Sequence, residues 1–112
     1  MEYKTRKLTE KEENILAYLV ENATIEISPN WKNNLVAHPL QDGGMGSLQL
    51  IYLDRPNEER TFSKRISEAL IKDIDGVDVL ISLNIDNNNQ LFELDIWKTD
   101  YEQIIELPNL LE

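Results

Sequence analysis

Alternation of apolar and polar residues dominates the last third of the chain. Val77, Val79, Ile81, Leu83 and Ile85 point one way, with Asp78, Ser82, Asn84 and Asp86 opposite, and after Asn87-Asn88-Asn89 the apolar side resumes with Phe92, Leu94 and Ile96. A period of two over this length is the signature of a half-buried strand. Three consecutive asparagines suit the turn between two such strands, because asparagine tolerates the left-handed region better than other residues with a Cβ. The segment Asp73 to Asp100 is therefore predicted to be a β-hairpin. Its second face holds Glu93, Asp95 and Trp97.

The helical signal lies at the other end. From Leu8 to Asn22 the apolar positions Ile15, Leu16, Leu19 and Val20 recur at helical spacing, leaving Glu13, Glu21 and Asn22 outward. Thr9 stands at a capping position and Glu12 three residues later completes a capping box. Ala23 to Asn34 gives conflicting signals: Ile25 and Ile27 alternate, while Pro29, Asn30, Asn33 and Asn34 interrupt any regular element, so it reads as a loop with a short strand at most. Trp31 in that loop is expected to cover the edge of the core.

Two further strands flank the segment Gln41-Asp42-Gly43-Gly44-Met45-Gly46, one over Leu35 to Leu40 and one over Ser47 to Asp54. Three of the chain's four glycines sit between them, as a connection needing positive φ requires. Leu48, Leu50 and Tyr52 share one face of the second strand, Gln49, Ile51 and Leu53 the other, so the strand is predicted to be interior and covered on both sides. Arg55 to Phe62 reads as a polar loop. Arg65 to Ile74 fits both a helix and a strand; we assign it to a strand because Asp75-Gly76 is a hairpin turn and the next segment is β. The tail, Tyr101 to Leu111, keeps Ile104, Ile105, Leu107, Leu110 and Leu111 and is expected to lie against the domain.

These elements add up to an α+β fold over residues 1–112 as a single domain: an antiparallel sheet of about five strands, near the modal count, with the N-terminal helix packed on one face. At 13.0 kDa, 41% hydrophobic and 29% charged, the chain can bury one core without staples. No apolar run approaches the roughly 20 residues of a membrane span, and Met1 to Lys7 lacks the apolar stretch of a signal peptide, which predicts a soluble, cytoplasmic protein. The absence of cysteine removes disulfides, thiolate metal sites and cysteine nucleophiles.

The net charge of −10 argues against nucleic acid, whose affinity comes mainly from Lys and Arg at phosphates. Its distribution is uneven. Residues 1–65 hold 9 basic and 10 acidic groups, whereas 66–112 hold 2 and 11. Such a concentration either serves solubility or faces a basic partner. Glu68, Ser82, Asn84, Glu93, Asp95 and Trp97 fall on one sheet face if the last three strands are adjacent, and Glu68, Asn84, Glu93, Asp95 and Trp97 are the protein-binding candidates. Acidic groups around an aromatic would attract a basic protein quickly and anchor it. The alternative is that Trp97 packs beneath the Tyr101 to Leu111 tail, which would make this face internal.

Catalytic readings have less support. His38 is the sole histidine, with Pro39 beside it, and no orienting partner is evident. Glu93 and Asp95 could serve a carboxylate-dependent hydrolase, although neighbouring carboxylates on an acidic strand are usually solvated. Asp73, Asp75 and Asp78, or Asp86, Asn88 and Glu93, surround turns but match no calcium-loop spacing, and the glycine segment lacks the ending of a phosphate loop. The reading is therefore of a non-enzymatic domain without cofactor or resident metal, with a structural or oligomerising role as a further alternative.

Asp42-Gly43-Gly44-Met45-Gly46-Ser47 and Phe92-Glu93-Leu94-Asp95-Ile96-Trp97-Lys98, together with Lys7-Leu8-Thr9, Asp75-Gly76-Val77 and Leu107-Pro108, resemble the motifs of a family of small bacterial proteins of unknown function. The resemblance spans nearly the whole chain and departs from the family pattern at Tyr101 to Glu106. It implies the fold of the hairpin rather than an activity. Small acidic proteins of this sort are similar to the immunity proteins of bacterial toxin systems, by analogy.

Overall fold

The computed structural model describes residues 5–55 and 59–110. The described residues form one helix, α1 (Glu10–Glu21), and five strands: β1 (Leu35–Pro39), β2 (Leu48–Tyr52), β3 (Phe62–Lys72), β4 (Asp78–Asp86) and β5 (Leu91–Lys98). All neighbouring strands pair antiparallel, in the order β1-β2-β5-β4-β3. The α+β architecture and the strand assignment of the Arg65 to Ile74 region are both observed. Residues 56–58 of the expected polar loop and Leu111 of the tail lie outside the described residues.

The helix begins where its capping chemistry dictates. The Thr9 hydroxyl accepts from the Glu12 amide at 3.1 Å, and the Glu12 carboxylate accepts from the Thr9 amide at 2.9 Å, so two of the first-turn donors are satisfied reciprocally. Ile15, Leu16 and Leu19 are buried against β3 and β4, where Ile66, Val79, Ile81, Leu83 and Ile85 are wholly enclosed. Leu48, Leu50 and Tyr52 of β2 and Leu94 and Ile96 of β5 continue the same core face. The segment after α1 forms no strand; the Thr24 amide donates to the Ile66 carbonyl of β3 at 2.8 Å, and the Trp31 and Asn34 carbonyls accept from the Tyr52 hydroxyl and the Leu53 amide, each at 2.9 Å.

Three irregularities change the faces that simple alternation predicts. Between Asn84 and Ile85 the β4–β5 register shifts, so that Leu91 pairs with Ile85 and enters the core, while Phe92 is only half-buried. Phe92 therefore does not belong to the fully buried face. A second bulge, between Arg65 and Ser67 in β3, turns Ile66 and Ser67 inward together and leaves Arg65 and Glu68 exposed, splitting Ile66 from the Glu68-Leu70-Lys72 row. The third departure is in β2, an interior strand whose second face is open: Gln49 and Ile51 are half-buried and Leu53 is 59% exposed.

The glycine connection is organised by Asp42. One carboxylate oxygen accepts from the Met45 and Gly46 amides and the other from Ser47 at 2.8 Å, closing a loop in which Gly43, Gly44 and Gly46 all have positive φ. The Ser47 hydroxyl then accepts from the Ile96 amide at 2.9 Å, fixing the loop's exit against β5.

The tail runs along the helix side of the sheet. Leu107 is buried, Ile104 and Leu110 pack on the core, and two bonds join the tail to α1: Lys11 Nζ to the Leu107 carbonyl at 2.6 Å and the Leu110 amide to Asn14 Oδ1 at 2.8 Å. It leaves Trp97 49% exposed, with the Tyr101 ring beside it, so Trp97 is not packed beneath the tail as an internal residue. No helix of the described residues is long and apolar enough to cross a membrane.

Candidate functional site

The sheet face turned away from α1 carries the protein-binding candidates Glu68, Asn84, Glu93, Asp95 and Trp97, and the strand registers place them in rows across the strands. Leu70, Leu80 and Trp97 stand opposite one another on β3, β4 and β5. One step along, Glu68, Ser82 and Asp95 form the next row. After the β3 bulge the third row runs Arg65, Asn84, Glu93, Gln49 and His38, across all five strands. With strands about 4.8 Å apart, the apolar row spans about 10 Å.

Exposure separates the rows. Leu70 is 63% and Trp97 49% exposed, a large apolar pair on a face that the helix leaves uncovered. The Tyr101 ring, 5.6 Å from that of Trp97 and tilted by 54°, extends the aromatic surface beyond the end of β5. In the next rows Ser82 and Asn84 are buried by their neighbours, while Glu93 and Asp95 are half-buried. Asn84 Nδ2 donates to Asp95 Oδ2 at 2.9 Å. Burial and the adjacent Asp95 raise the Glu93 carboxyl above its ordinary range, against the stabilising hydrogen bond from Asn84.

The other carboxylates of this face are paired. Glu68 meets Arg65 at 2.5 Å and Asp78 meets Lys72 at 2.8 Å. Among the described residues no ion pair involves Glu93 or Asp95, so the unbalanced charge of the face sits at these two groups. His38 is half-buried on the edge strand, opposite Gln49.

The aspartates around the β3–β4 turn do something else. Lys98, 1% exposed at the core end of β5, places Nζ 2.8 Å from Asp73 and 2.7 Å from Asp75, with the Gln103 carbonyl at 3.3 Å. The Asp73 carboxylate also accepts from the amides of Ile74, Ile105 and Glu106, each at 2.7 Å. Burial would push Asp73 up, but the Lys98 ammonium and these three donors outweigh it and hold the carboxyl well below the usual range. The cluster is thus a clamp for the tail. No group of three or more His, Asp or Glu among the described residues is placed to hold a metal ion.

A second buried pair closes the far end of the sheet. Arg60 Nε lies 2.6 Å from Asp86 Oδ2, and its two terminal nitrogens donate to the Leu50 carbonyl at 2.6 Å and the Leu91 carbonyl at 2.5 Å. The β2–β5 ladder is short, Leu48 to Leu94 and Gln49 to Glu93, and beyond it the guanidinium bridges the two strands. Composition conceals both cations: Arg60 sits in a stretch that reads as polar loop, and Lys98 follows Trp97 as if it faced solvent.

A family model matches residues 5–108, from the segment that bridges Arg6 to Ala37 through the Leu107-Pro108 anchor of the tail. The chain belongs to the DUF6984 family, a domain of unknown function. No curated protein and no solved structure shows significant similarity to it. Two features of this DUF6984 domain have structural work in the fold. Asp42 and the glycines shape the loop against β5, and Lys98 clamps the tail.

Proposed function

We propose that this DUF6984 domain is a non-enzymatic binding module whose open sheet face meets a basic protein. The observation that carries the reading is the adjacency of an uncovered apolar row, Leu70, Leu80 and Trp97, to the unpaired carboxylates of Glu93 and Asp95. Apolar side chains supply area to bury and Trp97 supplies an anchor. The carboxylates supply steering toward a cationic surface and discrimination against acidic ones. An immunity-type role, neutralising a basic toxin by covering it, is the narrowest form of this reading.

The test uses the immobilised protein and a lysate of its source, at low and raised salt, beside Asp95→Lys and Trp97→Ala. A captured protein of basic surface that is lost in both variants and at raised salt supports the reading. Capture indifferent to both substitutions, or no capture, removes it. Co-expression with a toxin encoded beside the gene tests the narrower form: rescue of growth by the natural chain and not by Asp95→Lys is expected.

The exposure of Leu70 and Trp97 also favours a second reading, an oligomerising domain that pairs this face with a second copy. Light scattering across concentrations separates the two, since a dimer dissociated by Leu70→Asp would occupy the face. The hydrolase reading rests on the raised Glu93 carboxyl beside Asp95. Turnover of glycoside or ester substrates that is abolished by Asp95→Asn would establish it.

A further inference from the structure

β3 is an edge strand of 11 residues, longer than most, and such an edge offers unpaired amides and carbonyls to another chain. The ladder shows which groups are offered. The Asp73 amide donates to the Val77 carbonyl, and alternation along an antiparallel pair then turns the main chain of Ile71, Ala69 and Ser67 toward Val79, Ile81 and Leu83 of β4. The Thr99 amide donates to the Asp78 carbonyl, so Asp78, opposite Lys72, is turned to β5, in agreement with that phase. Glu68, Leu70 and Lys72 therefore direct their main-chain groups out of the sheet edge. The edge is closed on either side of them: the Ile66 carbonyl accepts from the Thr24 amide at 2.8 Å, and the Ile74 amide donates to the Glu106 carbonyl at 3.2 Å. Between these two ends, no bond from another segment of the described residues reaches the main chain of Glu68, Leu70 or Lys72 on the edge side.

The side chains along this gap decide what fits it. A charge on an edge commonly serves to keep other chains away. Here an acid and a base stand at equal distance on either side of an exposed leucine, and all three residues are exposed. Such a sequence is complementary to itself run backwards. In an antiparallel pair of two β3 strands with the two-fold axis at Leu70, Leu70 faces Leu70 of the second copy, and each Glu68 faces a Lys72. On the other side of the sheet the half-buried Ala69 faces the half-buried Ile71 of the second copy. This register pairs the three free residues of each copy with one another, giving about six main-chain hydrogen bonds. A shift in either direction brings in Ile66 or Ile74, whose edge groups are already taken. Within one chain Glu68 and Lys72 are held by Arg65 and Asp78 in exposed ion pairs, which contribute little in water and are readily exchanged.

We propose that this DUF6984 domain pairs edge to edge with a second copy of itself through Glu68 to Lys72 of β3, making one sheet continuous across both copies. The pairing leaves the open sheet face uncovered and joins the two Leu70-Leu80-Trp97 rows end to end. It therefore stands apart from the binding of a basic protein, and from face-to-face pairing, which would bury that face.

Sedimentation velocity of the full chain, from micromolar to millimolar concentration, should show the mass rising from that of one chain toward that of two. Glu68→Lys sets ammonium groups opposite each other, and Lys72→Glu does the same with carboxylates. Each should weaken association about tenfold, since two cross-strand ion pairs become repulsive. An equimolar mixture of the two variants should associate again, because every charge then meets its opposite; that rescue also shows both variants to be folded. In a mixed-isotope sample of the natural chain, an intermolecular nuclear Overhauser contact between the α-protons of Ala69 and Ile71 should appear, as these lie opposite each other in the proposed register and are far apart in a face-to-face dimer. A chain that stays monomeric throughout overturns the proposal. So does a dimer that both variants leave intact, a mixture that fails to associate, or a dimer without the Ala69–Ile71 contact.

Discussion

Arg60 offers the sharpest stability test, because its replacement removes one partner from several buried groups at once. Asp86 is wholly buried, and Arg60 is the donor to its Oδ2, while Oδ1 accepts from the Asn88 and Gln90 amides of the β4–β5 turn. Arg60→Met keeps most of the stem and deletes the donors to Asp86, Leu50 and Leu91. Removing one member of a buried ion pair typically costs about 3–5 kcal/mol, since the other charge stays buried alone. Each carbonyl also loses a charged donor, normally about 1.5–3 kcal/mol. These overlap, because water entering the gap would serve all three acceptors, so about 3–5 kcal/mol is expected in total. Against the roughly 5–15 kcal/mol that hold a domain of this kind together, this is a large fraction. Urea unfolding followed by far-UV circular dichroism measures it, with an unchanged slope confirming that the denatured state is comparable. Combining Arg60→Met with Asp86→Asn should recover part of the loss, because an asparagine amide keeps an acceptor for the turn without a buried charge. A loss below about 1 kcal/mol, outside the range for a broken buried pair, would refute the assignment. A double variant less stable than the single one would do the same.

Asp73 predicts the acid limb. Its folded-state pKa lies well below the unfolded one, so its contribution is complete above about pH 4 and is lost as pH falls through the folded value. Asp73→Asn should lower the urea midpoint at pH 7 and flatten its decline below pH 4; an unchanged decline would contradict the clamp. Glu93 has the opposite sign: its pKa is raised by burial and then by Asp95, so ionisation opposes folding at neutral pH, and the penalty fades as pH falls through the folded value and is gone below the unfolded one. Glu93→Gln should raise the midpoint at pH 7 and not at pH 3, and equal shifts at both would show that charge is not the cause. Gly44 and Gly43 both have positive φ, for which a Cβ costs about 1–2 kcal/mol. A Cβ at Gly44 would also stand 2.6 Å from Gln103 Cγ, whereas one at Gly43 meets nothing, so Gly44→Ala should lower the melting temperature more than Gly43→Ala.

What the sequence disclosed followed from local rules, and what it hid depended on distant partners. The capping box of Thr9 and Glu12, the left-handed Asn89 in the asparagine turn and the Val79-Ile81-Leu83-Ile85 stripe are each decided within a few residues. The exchange of Phe92 for Leu91 in the core is not, because a bulge is a property of two paired strands and alternation in one of them carries no trace of it. The open-face rows depend on β3, β4 and β5 being adjacent, which chain order suggests; the apolar row was concealed because Leu70 and Leu80 look like core residues singly. Lys98 and Arg60 were hidden for a related reason. A cation reads as solvent-facing until the carboxylates that enclose it, 25 and 26 residues away, are brought together by the fold.

The acidity of residues 66–112 looks different once these partners are known. Asp73 and Asp75 hold Lys98, Asp86 holds Arg60, Asp78 pairs with Lys72 and Glu68 with Arg65. Five carboxylates of the acidic half are thereby accounted for within the fold. Glu93 and Asp95 are not, and they differ from the charges of a surface kept merely soluble. Such charges sit at exposed positions, where ionisation is nearly free. Glu93 is half-buried beside a second carboxylate and resists ionisation, on the same face as the uncovered Leu70 and Trp97. A cation brought to this face would screen the repulsion between the two carboxylates and offset the cost of burying the Glu93 charge, and would therefore bind more tightly than the net charge suggests. That coupling is what the proposed basic partner would exploit. It also predicts a signature the solubility reading lacks: partner binding should lower the Glu93 pKa, seen as a shift in the pH titration of its side-chain carbon resonance, whereas a passive acidic surface would titrate unchanged.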